Sequence, residues 1–363
     1  MRFRVAGILL LGSLAFSCSP KYIIDHTAPS RRLDLPKDDR AHYDAQTEWW
    51  YYTGHLQGDD GSEYGFEVTF FKRLTSEDRA PAWLLRVPGH WIKEVGLLGH
   101  FAITDIGKKK FQAGQIHNIC KKSNADPERL HVVINGWSVE ARDGSHLVKA
   151  SMRNYSVNLK LTPVKPPALH GPGGIVDKGV GKNYYYSYTN MKAEGTVRVG
   201  RKTKTVTGKA WMDHEFGSMS LIGKDIGWDW FSIQLDNNTE LMLYLIKADG
   251  AVVSRSGGTY IMADGSTRHL DLKDIEITVR TNWKSPKTGT TYPAGWDIRV
   301  IPLDIAIRLE PVMKEQELRL KPVTYWEGAV KVSGMANGEA AAGKGYVELV
   351  GYDKKSSFNK IAP

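Results

Sequence analysis

The 363-residue chain has only two cysteines, Cys18 and Cys120. A disulfide-stapled scaffold is therefore excluded, and stability has to come from a buried core. Long apolar runs are missing too. Beyond the first 17 residues no stretch approaches the roughly 20 apolar residues that a membrane-crossing helix needs. Helical periodicity is scarce, with no convincing 3.6-residue repeat outside the N-terminal segment, which turns attention to strands. No Gly-x-Ser-x-Gly elbow for a serine hydrolase occurs. Nor does a His-Glu-x-x-His motif, because Ser218 stands where a second histidine after His214 would be needed. The formal net charge is +9, yet no recognised nucleic-acid motif accompanies it. The basic clusters Lys108 to Lys110, Lys121-Lys122 and Arg198 to Lys204 lie beside glycines or polar turns and read as solvated hairpin tips. No nucleic-acid partner, metal or other cofactor is expected.

What is present begins at the N-terminus. Arg2 and Arg4 precede an apolar run from Ile8 to Phe16, and small Ser17 stands before Cys18. A basic region, a short apolar region and a cleavage site make residues 1–17 a signal peptide. Leu14-Ala15-Phe16-Ser17-Cys18 resembles the lipobox at which bacterial lipoproteins are cleaved and acylated, so Cys18 is the expected lipidation site and the membrane surface an expected partner. An ordinary secreted protein and an uncleaved anchor are the alternatives. Ser19, rather than Asp, follows the cysteine. In a Gram-negative cell this points to an exported protein anchored at the outer membrane or facing the periplasm.

Residues 18–40 are polar and punctuated by Pro20, Pro29 and Pro36, the composition of a flexible tether. Beyond it, Tyr64 to Phe71, Leu130 to Ala141, Ser151 to Leu161, Lys192 to Val199, Trp228 to Leu235, Glu240 to Ala248, Asp297 to Pro302 and Tyr346 to Tyr352 read as strands. Turn signals such as Asp143-Gly144, Asp249-Gly250 and Asp264-Gly265 separate them. The expected class is all-β, with antiparallel sheets closed into barrels or sandwiches. A boundary between two aromatic-rich motifs divides the body into residues 41–222 and 223–363. The Pro/Gly-rich stretch from Pro163 to Lys182 suits a long surface loop over a cavity mouth, or equally a variable connection.

Three segments concentrate the chemistry. In Glu48-Trp49-Trp50-Tyr51-Tyr52-Thr53-Gly54-His55-Leu56, a strand puts Glu48, Trp50 and Tyr52 on one face and Trp49 and Tyr51 on the other, so that one face lines a pocket while the other seals a core. Glu48, Trp50 and Tyr52 are the candidate ligand-binding set. In Trp211-Met212-Asp213-His214-Glu215-Phe216-Gly217-Ser218 an imidazole stands between two carboxylates, which face away from it if the segment is extended. A single metal could not take all three without a turn. The cluster is either catalytic or a buried hydrogen-bond network locking two domains together. In Gly227 to Leu235, Trp228, Trp230, Ser232 and Gln234 share a face, two indoles with polar handles that suit a small-molecule pocket or, equally, plain core packing. Tyr325 to Gly328 and Gly345 to Tyr352 continue the style.

Together these five segments resemble the AttH and carotenoid 1,2-hydratase (hydroxyneurosporene synthase) family, and more closely its exported AttH-like branch. The resemblance implies two consecutive lipocalin-like β-barrel domains and an isoprenoid or lipid-like ligand. A hydratase, isomerase or cyclase acting on such a ligand needs an acid, for which His214 with Asp213 or Glu215 is the candidate, and aromatic faces for a carbocation, for which Trp228 and Trp230 are candidates. Phe216 and Ile246 stand where the hydratases place a tryptophan and an aspartate. The alternative is a non-catalytic carrier or chaperone that hands its ligand to a transporter complex. A surface adhesion module, the third class, would enclose no cavity.

Overall fold

The structure is a computed structural model that describes residues 31–74, 95–117, 123–179, 181–219, 225–321 and 323–355. The expected signal peptide, Cys18 and Cys120 lie outside the described residues. Those residues form a 13-stranded and an 11-stranded antiparallel sheet and a two-stranded ribbon, the two large sheets each rolled into a lipocalin-like barrel. In the first, Thr47–Gly58 pairs with Glu63–Leu74 on one side and Lys202–Gly217 on the other. In the second, Ile226–Leu235 lies between Glu240–Ala248 and Glu339–Val350. The first sheet's last strand ends at Gly217 and the second sheet's first begins at Ile226.

Each barrel has its own core. Trp50, Tyr52, Phe66, Phe70 and Val157 are among the residues that fill the first, and Phe231, Leu243, Trp296, Trp326 and Val347 are among those that fill the second. Burial of each such side chain contributes about 1.5–3 kcal/mol. A third cluster joins the barrels by their outer faces, with Tyr51, Tyr185 and Trp211 against Trp230, Met242, Tyr244 and Tyr346. Buried polar links cross the same interface. Lys165 Nζ reaches Glu240 Oε2 at 2.8 Å, and His55 Nε2 donates to the Gly345 carbonyl at 2.9 Å.

Local chemistry refines three expectations. The run Leu130 to Ala141 is two strands, His131–Ile134 and Trp137–Arg142, joined by Asn135 and Gly136 at φ 46° and 94°. Positive φ at both central residues is what a tight hairpin turn demands and what Asn-Gly supplies. Residues 31–40 of the expected tether are folded onto the first barrel: Asp38 and Asp39 are buried, and the Trp50 indole donates to the Asp39 carbonyl at 2.8 Å. In the Pro/Gly-rich stretch, Ala168–Leu169 and Ile175–Asp177 pair with the long strand Lys182–Val199.

Candidate functional site

The segment Glu48 to Tyr52 is extended, so its side chains alternate across the first sheet. Glu48, Trp50 and Tyr52 point into the first barrel, whereas Trp49 and Tyr51 point toward the second. The neighbouring strand repeats the alternation: His214 joins Glu48 and Trp50 inside, while Asp213 and Glu215 face outward. Two environments result from one pair of strands.

The inward one is closed. Glu48 has no exposed surface. One of its carboxylate oxygens accepts from His42 Nδ1 at 2.8 Å and from His214 Nε2 at 2.9 Å, and the other lies 3.3 Å from Lys72 Nζ. Burial disfavours the Glu48 charge, but Lys72 and the two imidazoles outweigh it and hold the carboxyl well below its ordinary range. Burial also lowers His214, whereas Glu48 and Asp38 overcome it at His42 and hold that imidazole up. His214 Nδ1 lies 2.7 Å from the Tyr186 hydroxyl, which donates to Asp39 at 2.5 Å. The network fastens the folded N-terminal segment to the barrel. Ligand atoms of His42, Glu48 and His214 lie within 4.8 Å of one another, close enough to surround a metal ion. The Lys72 ammonium and the His42 imidazole lie beside the Glu48 carboxylate as positive partners, and His214 adds a hydrogen bond.

The outward faces enclose a cavity of about 400 Å³ between the barrels. Trp49, Tyr51 and Phe71 of the first barrel meet Trp228, Trp230 and Tyr244 of the second. Three carboxylates reach its lining: Asp213, Glu215 and Glu348. Burial raises Asp213 to about 6, although it accepts hydrogen bonds from Ser187, Tyr185 and the Trp211 indole. Burial likewise raises Glu348 to about 7, opposed by the Trp228 indole, whose N–H it accepts at 3.2 Å. Glu215 is paired with Lys178 at 2.6 Å and accepts from Asn183 at 2.8 Å. The Lys178 ammonium lies 5.0 Å from the Tyr185 ring centre, 5.7 Å from Trp49 and 5.8 Å from Tyr244. The cavity's aromatic faces thus already surround one positive charge.

Of the candidate residues, Asp213, Glu215, Trp228 and Trp230 therefore meet at the cavity. Glu48, Trp50, Tyr52 and His214 meet on the far side of the sheet. Gln234 does neither, since its amide donates to the Thr189 and Ala210 carbonyls at 2.7 and 3.1 Å and pins the second barrel to the first. Trp49, Tyr51, Tyr185, Lys178 and Glu348 were not among the candidates. The strand phase at Glu48 was the one available signal for Trp49 and Tyr51. Lys178 arrives from the Pro/Gly-rich stretch, which the sequence left open between a loop over a cavity mouth and a variable connection.

Paired lipocalin-like barrels with an apolar, carboxylate-bearing cavity between them define the class. The AttH-like family model matches residues 26–352, and the chain belongs to that family. Among solved structures it is similar to a putative AttH (NE1406) from Nitrosomonas europaea, at 27% identity and a TM-score of 0.79, covering 91% of this chain and 100% of that one. Kievitone hydratase from Nectria haematococca shares the fold at 14% identity and a TM-score of 0.73, over 93% of this chain and 97% of its own. CghA does so at 12% identity and a TM-score of 0.52, over 92% and 96%. No curated protein matches the chain.

Proposed function

We propose that this protein binds a hydrophobic, lipid-like or isoprenoid molecule in the interdomain cavity and converts it by acid chemistry, as a hydratase, isomerase or cyclase. The observation that carries the reading is the convergence of Asp213 and Glu348, both held up toward neutrality, on a cavity walled by indole and phenol rings. A carboxylic acid that keeps its proton near neutral pH can deliver it to an alkene carbon. The O–H bond breaks as the C–H bond forms, and the carbocation left on the substituted carbon lies against Trp228 and Trp230. Water then adds and surrenders a proton to a carboxylate, so that the net change is addition of water. Loss of a neighbouring proton instead gives an isomer, and capture by a second alkene gives a ring. One protein that shares the fold, kievitone hydratase, is named for such a reaction, which supports this reading.

In this proposal Cys18 carries the lipid, and the protein works after export at the membrane surface, where a poorly soluble ligand partitions. Loss of labelled palmitate incorporation in Cys18→Ser tests the anchor.

The cavity is tested by native mass spectrometry of protein purified without detergent, then by incubation with a polyisoprenoid alkene in ¹⁸O-labelled water. A product bearing ¹⁸O, lost in Asp213→Asn or Glu348→Gln, supports hydration, and an isobaric product supports isomerisation or cyclisation. A retained but unchanged lipid would overturn the catalytic part in favour of a carrier. No retained ligand and no binding would overturn both.

A further inference from the structure

Asp213 is held at both of its oxygens. Oδ1 accepts from the Trp211 indole at 2.5 Å and from the Ser187 hydroxyl, and Oδ2 accepts from the Tyr185 hydroxyl. Tyr185 in turn accepts from the Trp230 indole of the second barrel at 2.9 Å. An indole N–H only donates, so Trp211 is fixed in direction, and Tyr185 has no acceptor for its own proton among the described residues other than Asp213. Ser187 is the adjustable donor. It is the register partner of Asp213, and its oxygen also lies 2.7 Å from Nε2 of His170. The other ring nitrogen of His170, Nδ1, lies 2.9 Å from the Thr259 hydroxyl of the second barrel. His170 follows the short strand Ala168–Leu169, its backbone N–H donating to the Tyr185 carbonyl at 3.0 Å, and all three side chains of this chain are buried. A serine hydroxyl has one proton. With the imidazole hydrogen on Nε2 that proton goes to Asp213; with the hydrogen on Nδ1 it turns to His170, and Asp213 loses a donor.

We propose that His170 is a positioning residue: by holding Nε2–H toward Ser187 it commits the serine proton to Asp213 and keeps Asp213 a proton acceptor. The two cavity acids then divide the work, Glu348 giving its proton to the ligand carbon and Asp213 taking the proton that the added water releases. Glu348 fits the donor's part, because among the described residues it accepts one hydrogen bond, from Trp228 at 3.2 Å, where Asp213 accepts three. Hydrogen bonds to a carboxylate favour its charged form. In agreement, burial raises both acids but leaves Asp213 the stronger, at about 6 against about 7, and burial lowers His170 to about 3, which keeps it neutral. The other charged or titratable groups nearby are Glu215 with its partner Lys178, and His269 beyond His170. One turnover takes a proton from Glu348 and puts one on Asp213, so the charge of the pair is unchanged and the product is the ligand plus water. Exchange with solvent returns each acid to its starting form once the product leaves.

The division of work rests on the catalytic reading of the cavity; the hold on Asp213 does not, and is measured on the full chain without ligand. Nitrogen-15 spectra at about pH 7 should find His170 neutral with its hydrogen on Nε2. A hydrogen on Nδ1 overturns the proposal even if no variant folds. The titration midpoint of Asp213, followed on ¹³C-labelled aspartate as the resonance that Asp213→Asn removes, should rise by about one to two pH units in Ser187→Ala, the worth of one hydrogen bond to a charged group. It should rise in His170→Phe as well, and no further in the double variant than in Ser187→Ala. An unmoved midpoint in Ser187→Ala, or shifts that add in the double variant, would overturn the hold. In the ¹⁸O assay, the rate of Ser187→Ala relative to the unmodified protein should be low at about pH 6 and recover by about pH 8, where Asp213 ionises in both. A deficit that does not vary with pH, or a gain, overturns the division of work. Failure of the catalytic reading shows differently, as no turnover by the unmodified protein at any pH.

Discussion

Glu48→Gln is the substitution that best separates a structural from a catalytic meaning of the Glu48–His214 pairing. It keeps the shape of the side chain and removes its charge. Glu48 is fully buried and accepts from the His42 backbone N–H at 3.0 Å, from His42 Nδ1 at 2.8 Å and from His214 Nε2 at 2.9 Å. The variant leaves Lys72 Nζ, itself fully buried and now 3.3 Å from a neutral amide, with the neutral His42 and Ala45 carbonyls and the Tyr43 ring around it. Breaking a buried ion pair by removing one member costs about 3–5 kcal/mol, a large share of the roughly 5–15 kcal/mol that holds a typical protein folded. Urea denaturation at neutral pH, followed by tryptophan fluorescence, should show a loss of that size. The pH dependence adds a second arm. Because the folded-state value of Glu48 is depressed below its ordinary 4.5, its contribution is present above that pH and is lost as pH falls below it. The variant should lose this part of the acid sensitivity. Stability changed by less than about 0.5 kcal/mol, within the range of an ordinary surface substitution, together with abolished turnover, would refute the structural assignment and return His214 to the chemistry.

Lys165→Met should loosen the docking of the barrels, because Lys165 Nζ contacts both Glu240 oxygens, at 3.0 and 2.8 Å, and leaves that carboxylate buried and uncompensated when removed. A loss of about 3–5 kcal/mol in denaturant titration is expected, and an unchanged midpoint would count against the link. On the alkaline side, the folded-state values of Glu67 (about 8) and Glu348 (about 7) lie above their ordinary 4.5. Their contribution is therefore complete below pH 4.5 and falls away as pH rises to about 8. Melting temperature should decline across that window and decline less in Glu67→Gln; a flat or rising profile in the native protein would contradict the raised values.

The strand content was legible because β-branched and aromatic runs alternate with turn dipeptides. Asp143-Gly144 and Asp249-Gly250 both take the positive φ values that hairpin tips require. The Asn135-Gly136 turn was equally written in the chain, but the apolar residues on both sides hid it inside an apparently continuous strand. The identity of the chemical segments was legible too, since Asp213, Glu215, Trp228 and Trp230 all reach the cavity. Which face of the first strand lines the cavity was not. Thr47–Gly58 is buried on both faces, against its own core on one side and the second barrel on the other, so hydrophobicity does not distinguish a core face from a cavity face. Folding of residues 31–40 was hidden for a related reason. Their polar composition suits a solvated tether, and only the basic and hydroxyl partners brought by distant strands, such as Tyr186 and Tyr188 around Asp39, make it a buried element.

The sequence by itself determined that the protein is built of strands, that two cysteines cannot supply a disulfide framework, and which short segments carry its aromatic and acidic side chains, because these follow from composition and period-two alternation. The tertiary structure decided that His214 belongs to the interior of one barrel while its immediate neighbours Asp213 and Glu215 open onto a cavity between two. It also decided that Tyr51 and Glu327, 276 positions apart, meet across the two barrels in a hydrogen bond of 2.7 Å. Such facts depend on which outer faces of two separately folded sheets come together, and no local pattern encodes that choice.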